Sequence, residues 1–78
     1  MEMERIPMIQ GKKYIYLGKN SELHTHGSTY RFIESGYHWW KELGFVIWVT
    51  TNEYPNSKDS DFGCAFPPAE FKRYFWEA

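Results

Sequence analysis

The aromatic residues of this chain fall in short alternating runs, Tyr14-Ile15-Tyr16-Leu17, Tyr30-Arg31-Phe32-Ile33 and Phe45-Val46-Ile47-Trp48-Val49, and not at helical spacing. A period of two puts successive side chains on opposite faces of an extended backbone, which selects β-strands. The abundance of rings matters because 78 residues is near the size at which one hydrophobic core barely suffices, a domain of about 60 residues burying only about 60% of its unfolded surface. Disulfides cannot compensate, since Cys64 is the single cysteine. Rings can: each buried Phe, Tyr or Trp hides about 150–250 Å². The expectation is a small, mostly β domain built from aromatic side chains.

Nine Lys plus Arg against ten Asp plus Glu leave a net charge of −1, without the basic excess that non-specific phosphate binding requires. No apolar stretch reaches the roughly 18–20 residues that cross a bilayer. The opening Met1-Glu2-Met3-Glu4-Arg5 is acidic, unlike a signal peptide. These features read as a cytoplasmic protein with no membrane partner, and an unpaired cysteine agrees with a reducing compartment.

Residues 1–11 carry no hydrophobic period and read as an N-terminal tail or edge segment, leaving 12–78 as the domain. The first strand spans Lys13 to Gly18. Either of its faces can be the inner one, and Ile15 and Leu17 are assigned to the core with Tyr30, Phe32, Ile47 and Phe71. Residues 19–27 form a polar loop with Leu23 as its one apolar anchor, too long for a tight hairpin. A second strand covers Ser28 to Glu34 and ends at Ser35-Gly36. Tyr37-His38-Trp39-Trp40 reads as a third strand, and Lys41-Glu42-Leu43-Gly44 as the turn into a fourth, Phe45 to Thr51. The five apolar residues in a row of the fourth strand require cover on both faces. Residues 52–61 are loop-like around Pro55-Asn56-Ser57, and Phe62 to Phe66 reads as a short fifth strand. Pro67-Pro68, Glu70 and the i, i+3, i+4 set Phe71, Tyr74 and Phe75 predict a closing helix of one or two turns, with Lys72 and Arg73 facing water.

The segments Tyr14-Ile15-Tyr16-Leu17-Gly18, Gly27-Ser28-Thr29-Tyr30-Arg31-Phe32, Phe45-Val46-Ile47-Trp48-Val49 and Pro67 to Phe75 resemble the small Src-homology-3-like (SH3-like) barrels of short bacterial and bacteriophage reading frames. The resemblance spans residues 12–76. It implies a five-stranded barrel with a short C-terminal helix and a role as a phage or prophage accessory factor that modulates a host protein. Two departures stand out: residues 52–61 are long for a hairpin connection, and residues 19–27 carry Glu22 as their one acidic residue. Proline-rich ligand binding is therefore not implied.

His24 and His26 form a His-x-His pair whose further ligands would have to come from Cys64, Asp59, Asp61 or His38, with no Cys-x-x-Cys or His-x-x-x-His to complete a site. The pair reads as part of an ordinary polar loop, and no metal or cofactor is assigned. Cys64, between Gly63 and Ala65, reads as a small core residue and not as a nucleophile. No carboxylate pair has surroundings that would raise a pKa, so no enzymatic activity is expected. In a strand, Trp39 and Trp40 would face opposite ways, so one of them needs cover from the helix, the 52–61 loop or a partner. The candidate binding residues are Trp39, Trp40, Tyr54, Tyr14, Tyr16 and Arg31. Another protein is the favoured partner, because Trp and Tyr dominate binding energy at interfaces. Single-stranded nucleic acid, stacked on Tyr14, Tyr16 and Tyr30 beside Lys12, Lys13, Lys19, Arg31, Lys72 and Arg73, is the second reading. Oligomeric state leaves no trace in the sequence.

The polar composition of residues 52–61 predicts few core contacts and local mobility. Amide hydrogen exchange in this loop is expected to be much faster than in residues 45–50; equal protection would make the loop a structural element.

Overall fold

The computed structural model describes residues 9–78. Five antiparallel strands form one sheet: β1 (Lys13–Tyr16), β2 (Thr29–Tyr37), β3 (Phe45–Val49), β4 (Cys64–Phe66) and β5 (Phe75–Glu77), in the order β4-β3-β2-β1-β5. The α-helix α1 (Pro68–Tyr74) joins β4 to β5 and so carries the chain from one edge of the sheet to the other. In a flat sheet those edges would stand about 19 Å apart, at roughly 4.8 Å per strand, whereas seven helical residues rise only about 10 Å. The rings of Phe66 on β4 and Phe75 on β5 nevertheless meet at 5.1 Å. The sheet is therefore strongly curled, and among the described residues no ladder joins β4 to β5.

A bulge in β2 divides the core. The β2–β3 register runs Phe32↔Val49 and then Glu34↔Trp48, leaving Ile33 as an extra residue. An inserted residue bends its strand and raises the local twist. Consecutive Phe32 and Ile33 are consequently both buried, in different clusters. The larger cluster holds Tyr14, Tyr16, Tyr30, Phe32, Ile47, Val49, Phe71 and Phe75; the smaller holds Ile33, Val46 and Trp48. β3 is the shared wall, with Ile47 and Val49 on one side and Val46 and Trp48 on the other, which is the two-sided cover its apolar run required. Gly63 makes room for the smaller cluster, since a Cβ there would stand 2.7 Å from Ile33 Cδ1 and 2.8 Å from the Val49 carbonyl oxygen.

The inner face of β1 is the opposite of the one expected. Tyr14 and Tyr16 are buried while Leu17 is exposed and Ile15 half-buried. The reason is register: Tyr14 pairs with Tyr30 across the β1–β2 ladder, and Tyr16 with Phe75 across the β1–β5 ladder, so these rings share one face. The hydroxyls of Tyr16 and Tyr30 do not prevent burial because they find partners. Tyr16 donates to the Lys19 carbonyl at 2.7 Å, and Tyr30 donates to Asn52 Oδ1 at 2.5 Å while accepting from Thr25 N–H at 2.6 Å.

Other boundaries move for similar reasons. Ser35-Gly36 does not end the second strand, because Ser35 pairs with Ile47 and Gly36 with Val46; the ladder satisfies both residues and carries β2 to Tyr37. The expected strand 37–40 is thus the end of β2 plus a bend. The helix starts at the predicted Pro68, with Glu70 in its first turn and Lys72 and Arg73 in its last. Phe75, expected on that helix, begins β5 instead, yet its ring still stacks on Phe71 at 5.1 Å and 10°. Of the expected 1–11 segment, Gly11 N–H donates to the Phe32 carbonyl on β2 at 2.9 Å; residues 1–8 lie outside the described residues.

Truncating Phe32 to Ala is expected to cost about 3–5 kcal/mol, a large share of the roughly 4–12 kcal/mol available to a chain of this length. Leu17→Ala, on the exposed face, is expected to cost under about 1 kcal/mol. Urea denaturation of the two variants checks the assignment of faces, and reversed values would refute it.

Candidate functional site: an aromatic hairpin tip

The β2–β3 hairpin keeps its pairing as far as Tyr37↔Phe45, and His38 N–H then donates to the Gly44 carbonyl at 2.9 Å. Beyond that point the chain leaves strand geometry. Trp39 and Trp40 occupy a bend, and Lys41–Leu43 a single 3₁₀ turn closed by Leu43 N–H on the Trp40 carbonyl at 3.0 Å. Gly44 ends the turn at φ 65°, a left-handed conformation that only glycine enters without steric cost. Because residues 39 and 40 are not in a strand, the expectation that one tryptophan must point inward does not apply. Both are exposed, Trp39 at 61% and Trp40 at 63%, beside Tyr37 at 81%.

The tip is braced from within. His38 and Trp39 lie nearly parallel to the buried Trp48 ring, at 5.8 Å and 18° and at 5.9 Å and 21° respectively. His38 Nδ1 accepts from Trp40 N–H at 2.9 Å, which makes Nε2 the protonated nitrogen of the neutral ring. Ladder parity puts Tyr37 and Phe45 on the face of Ile47, where their rings meet edge to face at 5.7 Å. His38 and Trp39 instead stack over the face of Val46 and Trp48. The tip therefore presents rings on both faces, with Leu43 also exposed on the turn and Lys41 and Glu42 beside it. Since a ring residue covers about 150–250 Å², these exposures leave several hundred Å² open, the scale at which an apolar patch on a monomer marks an interaction site.

The other candidate residues lie elsewhere. Tyr54 packs on Phe62 at 4.9 Å in the 52–62 region, both rings partly exposed. Arg31 is half-buried and sits six residues before Tyr37 on β2, on the order of 20 Å away at about 3.3 Å per residue. Tyr14, Tyr16 and Tyr30 belong to the core, which corrects their use as a stacking platform: a base needs an open ring face, and these faces are taken by Phe71, Phe75 and one another.

His24 was missed as a structural residue. It is 2% exposed and enclosed by Tyr16, Tyr30, Phe66 and Phe75, with ring centroids 4.7–5.7 Å away. Its Nε2–H donates to the Thr50 carbonyl at 2.9 Å. Leu23, the expected anchor of the loop, is exposed. His26 points elsewhere, Nδ1–H donating to the Gly18 carbonyl at 3.0 Å, so the two imidazoles do not act as a pair. Among the described residues no group of three or more His, Cys, Asp or Glu could hold a metal ion. Cys64 is half-buried, and burial, reinforced by Glu70, pushes its thiol above the ordinary range, away from thiolate character. No helix of the described residues is long and apolar enough to cross a membrane.

No protein-family model, no curated protein and no solved structure matches this chain.

Burial lowers the pKa of His24, and its hydrogen bond to Thr50 only partly opposes the shift. The folded value thus lies below the unfolded one, near 6.5, and the unfolded chain takes up the proton first as pH falls. This contribution to stability is complete above about pH 6.5, declines as pH drops toward the folded pKa, and levels off below it. Thermal midpoints measured downward from neutral pH are expected to show this fall, and the slope below about pH 6.5 should be shallower in His24→Gln, which keeps a donor for Thr50.

Proposed function

We propose that this chain is a non-enzymatic protein-binding module of the small SH3-like barrel type, and that it engages its partner with the aromatic tip of the β2–β3 hairpin. The observation that carries the proposal is the exposure of Tyr37, Trp39 and Trp40 together on one short, braced turn. Large rings left in water are costly unless a partner covers them, and Trp and Tyr are the residues that dominate binding energy when a pocket receives them. Rings on both faces of a narrow hairpin suit insertion into an apolar cleft. The mixed charge of Lys41 and Glu42 at the rim favours a partner without strong charge of either sign.

By resemblance to barrels of bacteriophage and bacterial reading frames, the partner in this proposal is a host protein in the cytoplasm, and the module is an accessory factor of phage or prophage origin. The absence of catalysis is part of the same proposal and is supported by the unactivated Cys64 thiol. Single-stranded nucleic acid remains the second reading, weakened by the burial of Tyr14, Tyr16 and Tyr30.

Trp40 is the residue to test, since among the described residues its ring meets only that of His38 and its loss leaves the Trp39–Trp48 stack in place. Trp40→Ala is expected to weaken partner capture from a host lysate by about 30-fold or more, equivalent to a hot spot of at least ~2 kcal/mol, with little dependence on salt or nuclease. Capture that survives Trp40→Ala but is abolished by nuclease would transfer the function to nucleic acid.

A further inference from the structure

We propose that the pocket between β2 and the 56–58 loop is a binding site for a phosphate group, with Arg31 and Lys58 as its cationic donors. The pocket has a volume of about 170 Å³ and is lined on one side by Gln10, Gly11, Arg31 and the apolar Phe32 and on the other by Asn56, Ser57 and Lys58. Sites for drug-sized ligands run to about 300–1,000 Å³, while one water claims about 30 Å³ of liquid. This pocket therefore admits a single small headgroup with some solvent, and excludes a whole cofactor.

The electrostatics select an anion. Lys13 stands directly opposite Arg31 in the β1–β2 ladder, and like charges facing one another across an antiparallel pair are destabilising. Lys12 is neutralised by Glu77 at 3.3 Å, but among the described residues no carboxylate does the same for Lys13, Arg31 or Lys58. Asp59 is next to Lys58 in the chain, and its Oδ1 accepts from Asp61 N–H at 2.9 Å to cap the following 3₁₀ turn. Two cationic residues, Arg31 and Lys58, thus line one pocket without an ion pair among the described residues, and Lys13 faces Arg31 from the neighbouring strand. A bound dianion would offset the positive charge of this set.

The backbone that carries the donors is fixed before any ligand arrives. Arg31 N–H donates to Thr50 Oγ1 and Thr50 N–H donates to the Arg31 carbonyl, both at 2.9 Å, so the Arg31 backbone is clamped from two sides. Gln10 Nε2 bridges the carbonyls of Ile33 at 3.2 Å and Lys58 at 3.4 Å, tying the loop to β2. Gln10 is therefore a positioning residue. The Ser57 hydroxyl donates to the Asp59 carbonyl at 3.1 Å, whereas among the described residues no hydrogen bond or ion pair occupies the Arg31 guanidinium, the Lys58 ammonium or the Asn56 amide. A carboxylate offers two oxygens and one charge to this set; a phosphate offers more acceptor oxygens and close to two charges, the better match for a planar fork plus an ammonium.

Titration with sodium phosphate, followed by amide chemical shifts and compared with sodium chloride at equal ionic strength, tests the assignment. Saturable shifts centred on residues 10–11, 31 and 56–58 are expected with phosphate and not with chloride, and Arg31→Gln and Lys58→Gln should each weaken binding at least about ten-fold. Lys13→Gln gives the signature a purely structural role would not produce: weaker phosphate binding with an unchanged or higher thermal midpoint in chloride. Competition by a 5′-phosphorylated oligothymidylate but not by its unphosphorylated form assigns the ligand as a phosphate monoester, while equal competition by both assigns it as a backbone phosphodiester. Equal shifts with chloride, or phosphate binding retained in both Arg31→Gln and Lys58→Gln, would overturn the proposal. The hairpin tip shares no residue with this pocket, so either outcome leaves the Trp40 experiment to stand by itself.

Discussion

The bulge at Ile33 is the constraint on which the rest of the structure depends. A regular β2 would put Phe32 inside and Ile33 outside, and the sheet would own one buried face. With one residue added, Phe32 turns toward the ring cluster of β1, α1 and β5, and Ile33 toward Val46 and Trp48. The same insertion bends β2, and a bent central strand lets the sheet curl until Phe66 and Phe75 meet from opposite edges. A domain too small for two layers thereby obtains inner cover on both sides of β3. The cost is local: Gly63 must lack a side chain where Ile33 is received.

Within the larger cluster the polar atoms are placed as deliberately as the rings. Separate hydrogen bonds fasten the 19–27 loop to the end of β3: His24 Nε2–H on the Thr50 carbonyl, Asn52 N–H on the Leu23 carbonyl and Asn52 Nδ2 on the Glu22 carbonyl, while the Tyr30 hydroxyl donates to Asn52 Oδ1 and holds that side chain in place. An imidazole in this position fills space as an aromatic and still satisfies a buried carbonyl, which Phe could not do. Its neutrality is the condition for both roles.

What was legible in the sequence follows the range of the interaction involved. The run Phe45–Val49 and the start Pro67-Pro68 state their structure locally, through β-branching and a fixed proline φ, and both stand as read. The face of β1 was not legible because it turns on the ladder with β5, which sets Tyr16 opposite Phe75 about sixty residues later in the chain. Three residues are too few for β5 to show alternation. Ser35-Gly36 looks like a terminator until a partner strand supplies its hydrogen bonds. Of the site, the paired tryptophans were legible as an oddity, whereas their common exposure depends on Gly44 closing a 3₁₀ turn just beyond them. The half-buried Arg31 was visible as a cation, but its pocket is made by a loop about 25 residues later in the chain.

The ladder between β1 and β5 also has a temporal side. Tyr14 is paired with Glu77, and Tyr16 with Phe75, across about sixty residues of intervening chain. Contacts of such separation are reached only after a large loop closes, which places the domain among slowly folding β topologies, in milliseconds to seconds. During synthesis at about 5–20 residues per second, β1 would wait some three to twelve seconds for its second neighbour. Through that interval Tyr14 and Tyr16 lack the Phe71 and Phe75 rings that cover them in the finished fold, so the nascent chain carries a second, transient aromatic surface besides the permanent one at the hairpin tip.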